Sequence, residues 1–417
     1  MSTELITAII DRDTPVVVKY LDFVDVNKKD VHERLPLNIA EATGDINLVR
    51  LLLNKKAKHK IKDRNGISAL HGAINSGSVD MVRFLLDIGV DMEMATKEKE
   101  TPLHWAARSD SVNIVELLLY YGANVNAENR SRQTPLYIAA ERGCVEVMGI
   151  LLLYGADVND HPEEKTPIHA AITNKQERAV EYLLNNGVDV KSLPYIVLTA
   201  IGFANESIIE MVLSHGGTPN VKTQTTTPLH DAVRLNKPEI IQLLSQHGAD
   251  MNIATEESGP VLTFAVSRDN LDCVKVLLDC GSDINKADNN GFIVLRYAVM
   301  KDNKPMIALL LENGARVDKE IGVRRHESIL LHTATEYNLQ RNVKELLQKG
   351  VCVNIPDEEN YTALHHAVRL SYTSMVLMLL GYSADVYADS GDSLPISLST
   401  DHVITQILVI HMLLSRV

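Results

Sequence analysis

Residues 101–126 read TPLHWAARSDSVNIVELLLYYGANVN. The opening phrase, Thr101-Pro102-Leu103-His104, returns as Thr134-Pro135-Leu136-Tyr137, Thr166-Pro167-Ile168-His169 and Thr227-Pro228-Leu229-His230. Looser copies stand at Ser68-Ala69-Leu70-His71 and Thr362-Ala363-Leu364-His365. Two residues past the histidine comes an alanine, and sixteen residues past Ala106 comes Gly122, then Ala123-Asn124-Val125-Asn126. With the alanine as a ruler, units fall at Ala8, Ala40, Ala73, Ala106, Ala139, Ala171, Ala200, Ala232, Ala265, Ala298, Ala334 and Ala367, and a degenerate one follows near Leu398. A phrase that recurs in register along the whole chain is an internal repeat, and a period near 33 residues decides the fold.

Each position of the phrase has a physical task. The threonine is a helix N-cap whose hydroxyl satisfies a backbone amide. Proline follows at the first helical position, where its φ is preset and no donor is lost. Leucine begins the buried face, and the small alanine lets paired helices approach. Gly44, Gly77 and Gly143 mark the reversal into a second helix, whose apolar stripe is read at Val82, Leu85, Leu86 and at Val115, Leu118, Leu119. The repeat glycine suits a left-handed residue just past that helix. Asn65-Gly66 and Asn290-Gly291 are turn signals at hairpin tips.

These residues resemble the ankyrin repeat. The resemblance covers essentially the whole chain and implies an all-α solenoid of about twelve to thirteen helix-turn-helix units joined by short hairpin loops. The expected organisation is one continuous array over 1–417: an N-terminal cap unit at 1–30, regular repeats at 31–190, an irregular repeat at 191–222, repeats at 223–390 and a degenerate cap at 391–417. The irregular unit has Tyr195-Ile196-Val197-Leu198 in place of the phrase, and Ala200 follows Ala171 by only 29 residues. A truncated finger between Val190 and Pro194 accounts for the shortfall. The opposite departure separates Ala298 from Ala334 by 36 residues, lengthening a locally basic finger around Arg324, Arg325 and His326. The last segment, Val403 to Leu414, is apolar nearly all round.

The net charge of −13 repels a phosphate backbone, so general nucleic-acid binding is not expected. No apolar run reaches the length of a bilayer span, and no signal or lipidation motif opens the chain; a cytoplasmic protein without membrane contact is the expectation. Cys144, Cys273, Cys280 and Cys352 show no CxxC or zinc-ligand spacing and read as buried or half-buried free thiols. The motif histidines His71, His104, His169, His230 and His365 lie one repeat apart, too far to share a metal, and the resemblance gives them structural hydrogen bonds near the helix start. Neither a nucleophile elbow, a phosphate loop nor an HExxH occurs. The expectation is a non-enzymatic scaffold with no catalytic residue, cofactor or metal.

In ankyrin proteins the hairpin tips and the exposed edges of the first helices bind partners. By register these are Arg64 and Asn65; Lys97, Glu98 and Glu100 with Arg108; and Arg130 and Gln133 with Arg142. Arg324 and Arg325 of the long finger form a rival site. The uninterrupted array also resembles the ankyrin proteins of poxviruses, avian ones especially. That likeness implies capture of a host protein for host-range or immune-evasion purposes in the host cytoplasm. Such proteins add a C-terminal F-box-like segment that recruits a ubiquitin ligase; this sequence carries no such segment, so that link is expected only with a further C-terminal module. The alternative is a cellular ankyrin adaptor within a larger assembly.

Overall fold

The computed structural model describes residues 2–32, 34–58, 62, 65–159, 165–317, 324–391 and 393–415, with the side chains of 324 and 325 excepted. Two compact units result, Met1–Thr218 and Pro219–Val417. Arg64 and most of the long finger (318–323) lie outside the described residues, as do the side chains of Arg324 and Arg325.

In the first unit, antiparallel helix pairs follow one another: Ser2–Ile10 with Thr14–Leu21, Pro36–Ala42 with Ile46–Asn54, and Ala69–Asn75 with Val79–Asp87. Pro102–Arg108 with Val112–Tyr120, Pro135–Arg142 with Val145–Leu153, Pro167–Thr173 with Glu177–Asn185, and Ile196–Phe203 with Glu206–Ser214 complete it. The second unit pairs Pro228–Arg234 with Pro238–Gln246, Val261–Ser267 with Leu271–Asp279, and Val294–Met300 with Lys304–Glu312. Arg324–Glu336 with Gln340–Gln348 and Ala363–Arg369 with Thr373–Gly381 follow, then a single 3-10 turn and the helix His402–Leu414. The two-residue strands Ala254–Thr255 and Gly259–Pro260 form one finger hairpin.

The phrase builds the first helix of each pair as its chemistry requires. Thr134 and Thr227 accept the amides of Tyr137 and His230 at their helix starts, and prolines open the helices Pro36–Ala42, Pro102–Arg108 and Pro228–Arg234. The ruler alanines from Ala40 to Ala367 are each 0% exposed, because any larger side chain there would hold neighbouring helices apart. Second-helix residues such as Leu85 and Leu118 are also fully buried, each contributing about 1.5–3 kcal/mol of hydrophobic stabilisation.

Neighbouring pairs are further tied by asparagines at the finger bases. Asn126 donates to the Gly155 carbonyl (3.2 Å) and accepts the Asp157 amide (3.0 Å), and Asn159 repeats the pattern with Gly187 and Asp189. Asn220 and Asn285 do the same in the second unit. Where the shortened finger was expected, a 3-10 turn at Val190–Ser192 leads to Tyr195, which caps its helix without a side-chain bond.

One expectation is corrected: Cys352 is exposed, whereas Cys144 and Cys273 are buried and Cys280 is half-buried. Cys352 follows the second helix of its repeat, outside the apolar stripe. Burial pushes the Cys144 thiol up to about 12 and the Cys273 thiol up to about 11.

Candidate functional site

The motif histidines serve the fold. His104 places Nδ1 2.9 Å from the Thr101 hydroxyl and 3.1 Å from the Thr101 amide, which donates to it. Its Nε2–H therefore points the other way and donates to the Gln133 carbonyl of the next repeat at 2.9 Å. His71, His230 and His365 bridge in the same manner to the carbonyls of Glu100, Gly259 and Ser393. Each ring thus caps its own helix and staples the following finger. Burial, opposed by those carbonyl bonds, lowers the His104 and His365 pKa and brings His230 to about 4.

The fingers themselves are tight turns. Thr96 and Asn129 each donate a backbone amide four residues on, to Glu100 and Gln133, closing the tips. Asn129 Oδ1 also accepts the amides of Ser131 and Gln133, an Asx turn that fixes the loop. Consecutive tips are joined by main-chain bonds, Lys97 N–H to the Asn65 carbonyl (2.9 Å) and Arg130 N–H to the Glu98 carbonyl (2.8 Å). Gly66, at φ +79, is needed here, since a Cβ would lie 2.8 Å from the Lys97 amide nitrogen.

The structure divides the sequence-selected residues into two groups. Lys97, Glu98, Arg130 and Arg142 are exposed, and Asn65 is exposed at the first tip of the row. Arg130 and Glu98 approach only to 3.8 Å, with side chains about two-thirds exposed, a pair worth little in water. Glu100 and Arg108 face each other instead: Arg108 donates to both Glu100 carboxylate oxygens, and Trp105 Nε1–H donates to Oε2 at 3.0 Å. The Arg108 hydrogen bonds hold the Glu100 carboxyl below its usual range. Trp105 also packs edge-on against His71 (5.0 Å between centroids), so it joins two repeats. Gln133 lends its carbonyl to His104 and its side-chain oxygen to Asn129. What the tips and the adjoining helix end leave outward is five cations, Lys97, Lys99, Arg130, Arg132 and Arg142, interleaved with the exposed Glu98 and Glu128, a locally basic strip on an acidic chain.

Sequence reasoning missed a groove of about 890 Å³ in the second unit. Its walls include His332, Glu336, Asp357 and His366. The available signal was His366 beside the motif residue His365, together with a motif histidine, His332, that lacks a threonine three residues before it.

The family model described as ankyrin repeats (3 copies) matches residues 37–129, 126–193, 254–321 and 319–390. That described as ankyrin repeats (many copies) matches 229–278. The chain belongs to the ankyrin-repeat family. It is 31% identical over 119 residues to a putative ankyrin repeat protein of fowlpox virus (strain NVSL), which covers 28% of this chain and 84% of the relative. It is 27% identical over 110 residues to ankyrin repeat and SOCS box protein 11 of Mus musculus, covering 25% of this chain and 34% of that protein. Thus the chain spans about a third of the mouse relative and most of the fowlpox one. Ankyrin repeats imply a scaffold for protein–protein interaction, and members of the family are generally non-enzymatic. Among the described residues no helix is long and apolar enough to cross a membrane.

Proposed function

We propose that the protein captures a host-cell protein through the row of finger tips from Asn65 to Arg142, as a viral host-range or immune-evasion scaffold. The observation that carries this reading is the tip row itself. Adjacent fingers are bonded main chain to main chain, so the exposed Lys97 and Arg130 side chains stand on a preorganised base, beside Arg142 on the last turn of its helix. A locally basic strip suits a partner with an acidic patch, while the net charge of −13 opposes association of whole copies of the chain. The viral assignment draws support from the fowlpox relative. A cellular adaptor is the second reading, favoured by the mouse relative. The host cytoplasm is the proposed setting.

The test is affinity capture from host-cell extract with the wild-type chain and with Lys97, Arg130 and Arg142 changed together to Glu. Arg108 is left intact because it is engaged with Glu100. The captured partner is expected to lose at least tenfold in affinity, mainly through slower association that salt also weakens. Circular dichroism should stay unchanged, since exposed substitutions shift stability by about 0.5 kcal/mol or less. Undiminished capture by the triple variant, with loss on changing Arg324 and Arg325, would move the site to the start of the helix Arg324–Glu336, where these two residues lie rather than on the finger expected from sequence.

A further inference from the structure

We propose that His332, Asp357 and His366 form a binding site for a divalent transition-metal ion of the zinc class. Their candidate ligand atoms all lie within 4.8 Å of one another. His332 occupies the motif-histidine position of its repeat, two residues before Ala334. Its helix, however, starts early, at Arg324, so no N-cap hydroxyl stands three residues back for the ring to meet. Nδ1 lies 2.7 Å from the Ser328 carbonyl and 3.1 Å from the Ser328 hydroxyl, whose own proton is donated to the Pro356 carbonyl. A carbonyl only accepts, so Nδ1 carries the proton and Nε2 presents a bare lone pair. That Nε2 is buried, in a residue 2% exposed, and has no hydrogen-bond partner among the described residues. In His71, His104, His230 and His365 the same atom is bonded to a carbonyl of the next repeat. An unpaired buried acceptor beside a second imidazole and a carboxylate suits a cation.

The other two ligands are already held. Asp357 Oδ1 accepts the amides of Glu359 and Tyr361, which leaves Oδ2 directed at His366 Nε2, 2.7 Å away. The residue before the ruler alanine meets its own finger in other repeats too, as Tyr297 does at Asp288; the orphaned His332 nitrogen is what sets this repeat apart. On metal binding the His366 proton passes from Nε2 to Nδ1, where Glu336 Oε1 lies 3.3 Å away and can accept it, displacing the Arg369 guanidinium now at 3.0 Å. Backbone carbonyl behind His332 and carboxylate behind His366 are the outer partners that metal-bound imidazoles use. Five carboxylates (Asp302, Glu336, Asp357, Glu358, Glu359) against Lys304 and Arg369 give the groove a negative balance. Three ligands from the chain leave a coordination position open to water or to a side chain of a bound protein.

The test titrates the chelator-treated full chain with Zn²⁺ and with Co²⁺. Expected are one ion per chain, a raised melting temperature, and visible Co²⁺ d–d bands without a thiolate charge-transfer band. His332→Gln and Asp357→Asn should each weaken binding at least tenfold, Glu336→Gln less, and Cys352→Ser not at all. The wild-type Co²⁺ spectrum is read independently of whether any variant folds. Absence of stoichiometric binding, a thiolate band, or undiminished binding by His332→Gln would overturn the proposal.

Discussion

Glu41 shows how far a single residue can depart from the pattern around it. It follows the ruler Ala40, a station held in most other units by Ile, Val or Ala, as at Ile74, Ala107, Val233 and Val368, and by the uncharged Thr335 in one. Its carboxyl is fully buried, neither oxygen has a hydrogen-bond partner among the described residues, and burial raises its pKa well above 4.5. The folded state therefore keeps a proton that the unfolded state releases, so stability falls as pH rises from about 4.5 through the folded pKa. Glu41→Ile is expected to stabilise the protein at pH 7 by about 1–3 kcal/mol, with the gain shrinking toward pH 4.5 in denaturant titrations. His230 behaves oppositely. Its pKa drops from 6.5 to about 4, so its contribution is whole above 6.5 and is lost as pH falls toward 4. That amounts to about 3 kcal/mol at full extent. Against non-titrating His230→Gln, the wild-type advantage should narrow across this window; a pH-independent gap would refute the assignment. The histidine roles followed from the family resemblance that the phrase carries. Glu41 was not, because the ruler locates a station without saying whether its occupant suits it.

At the scale of the element, the helices were legible because N-cap, proline, alanine and glycine recur in register. The left-handed C′ position holds from Gly89 to Gly350, and Lys56 and Ser383 take it in two units without glycine. Finger contacts were less legible. The Glu100–Arg108 pair needs the finger to fold back over its own helix, and spacing of eight residues carries no such signal. His332 was hidden because sequence did not disclose that its helix begins at Arg324. Finger rigidity can be tested at Gly66. Gly66→Ala brings a Cβ against the Lys97 amide and strains a positive φ, so it should cost about 1–2 kcal/mol. Hydrogen exchange should quicken at Lys97, whose amide bond to Asn65 opens, and remain unchanged at Arg130. Uniform quickening of both tips would mean that the fingers are not held pair by pair.

For the whole molecule, the reading of 1–417 as one array with an irregular member at 191–222 is a proposal, while the structure itself groups residues up to Thr218 and from Pro219 onward. Each unit repeats the same helix pair, and what varies from repeat to repeat is the side chains carried at the tips and along the helix edges. The terminal helix follows that rule in part: Ile404 and Leu408 are buried, whereas Val403, Ile410, Leu413 and Leu414 stay more than half exposed. Capture through the basic tips of the first unit is the central claim. Hydrogen–deuterium exchange of the full chain with and without its captured partner tests it most directly. Protection concentrated at residues 97–100, 130–133 and 142 is the expected result. Protection confined to 402–414, with those tips exchanging as in the unbound chain, would contradict it.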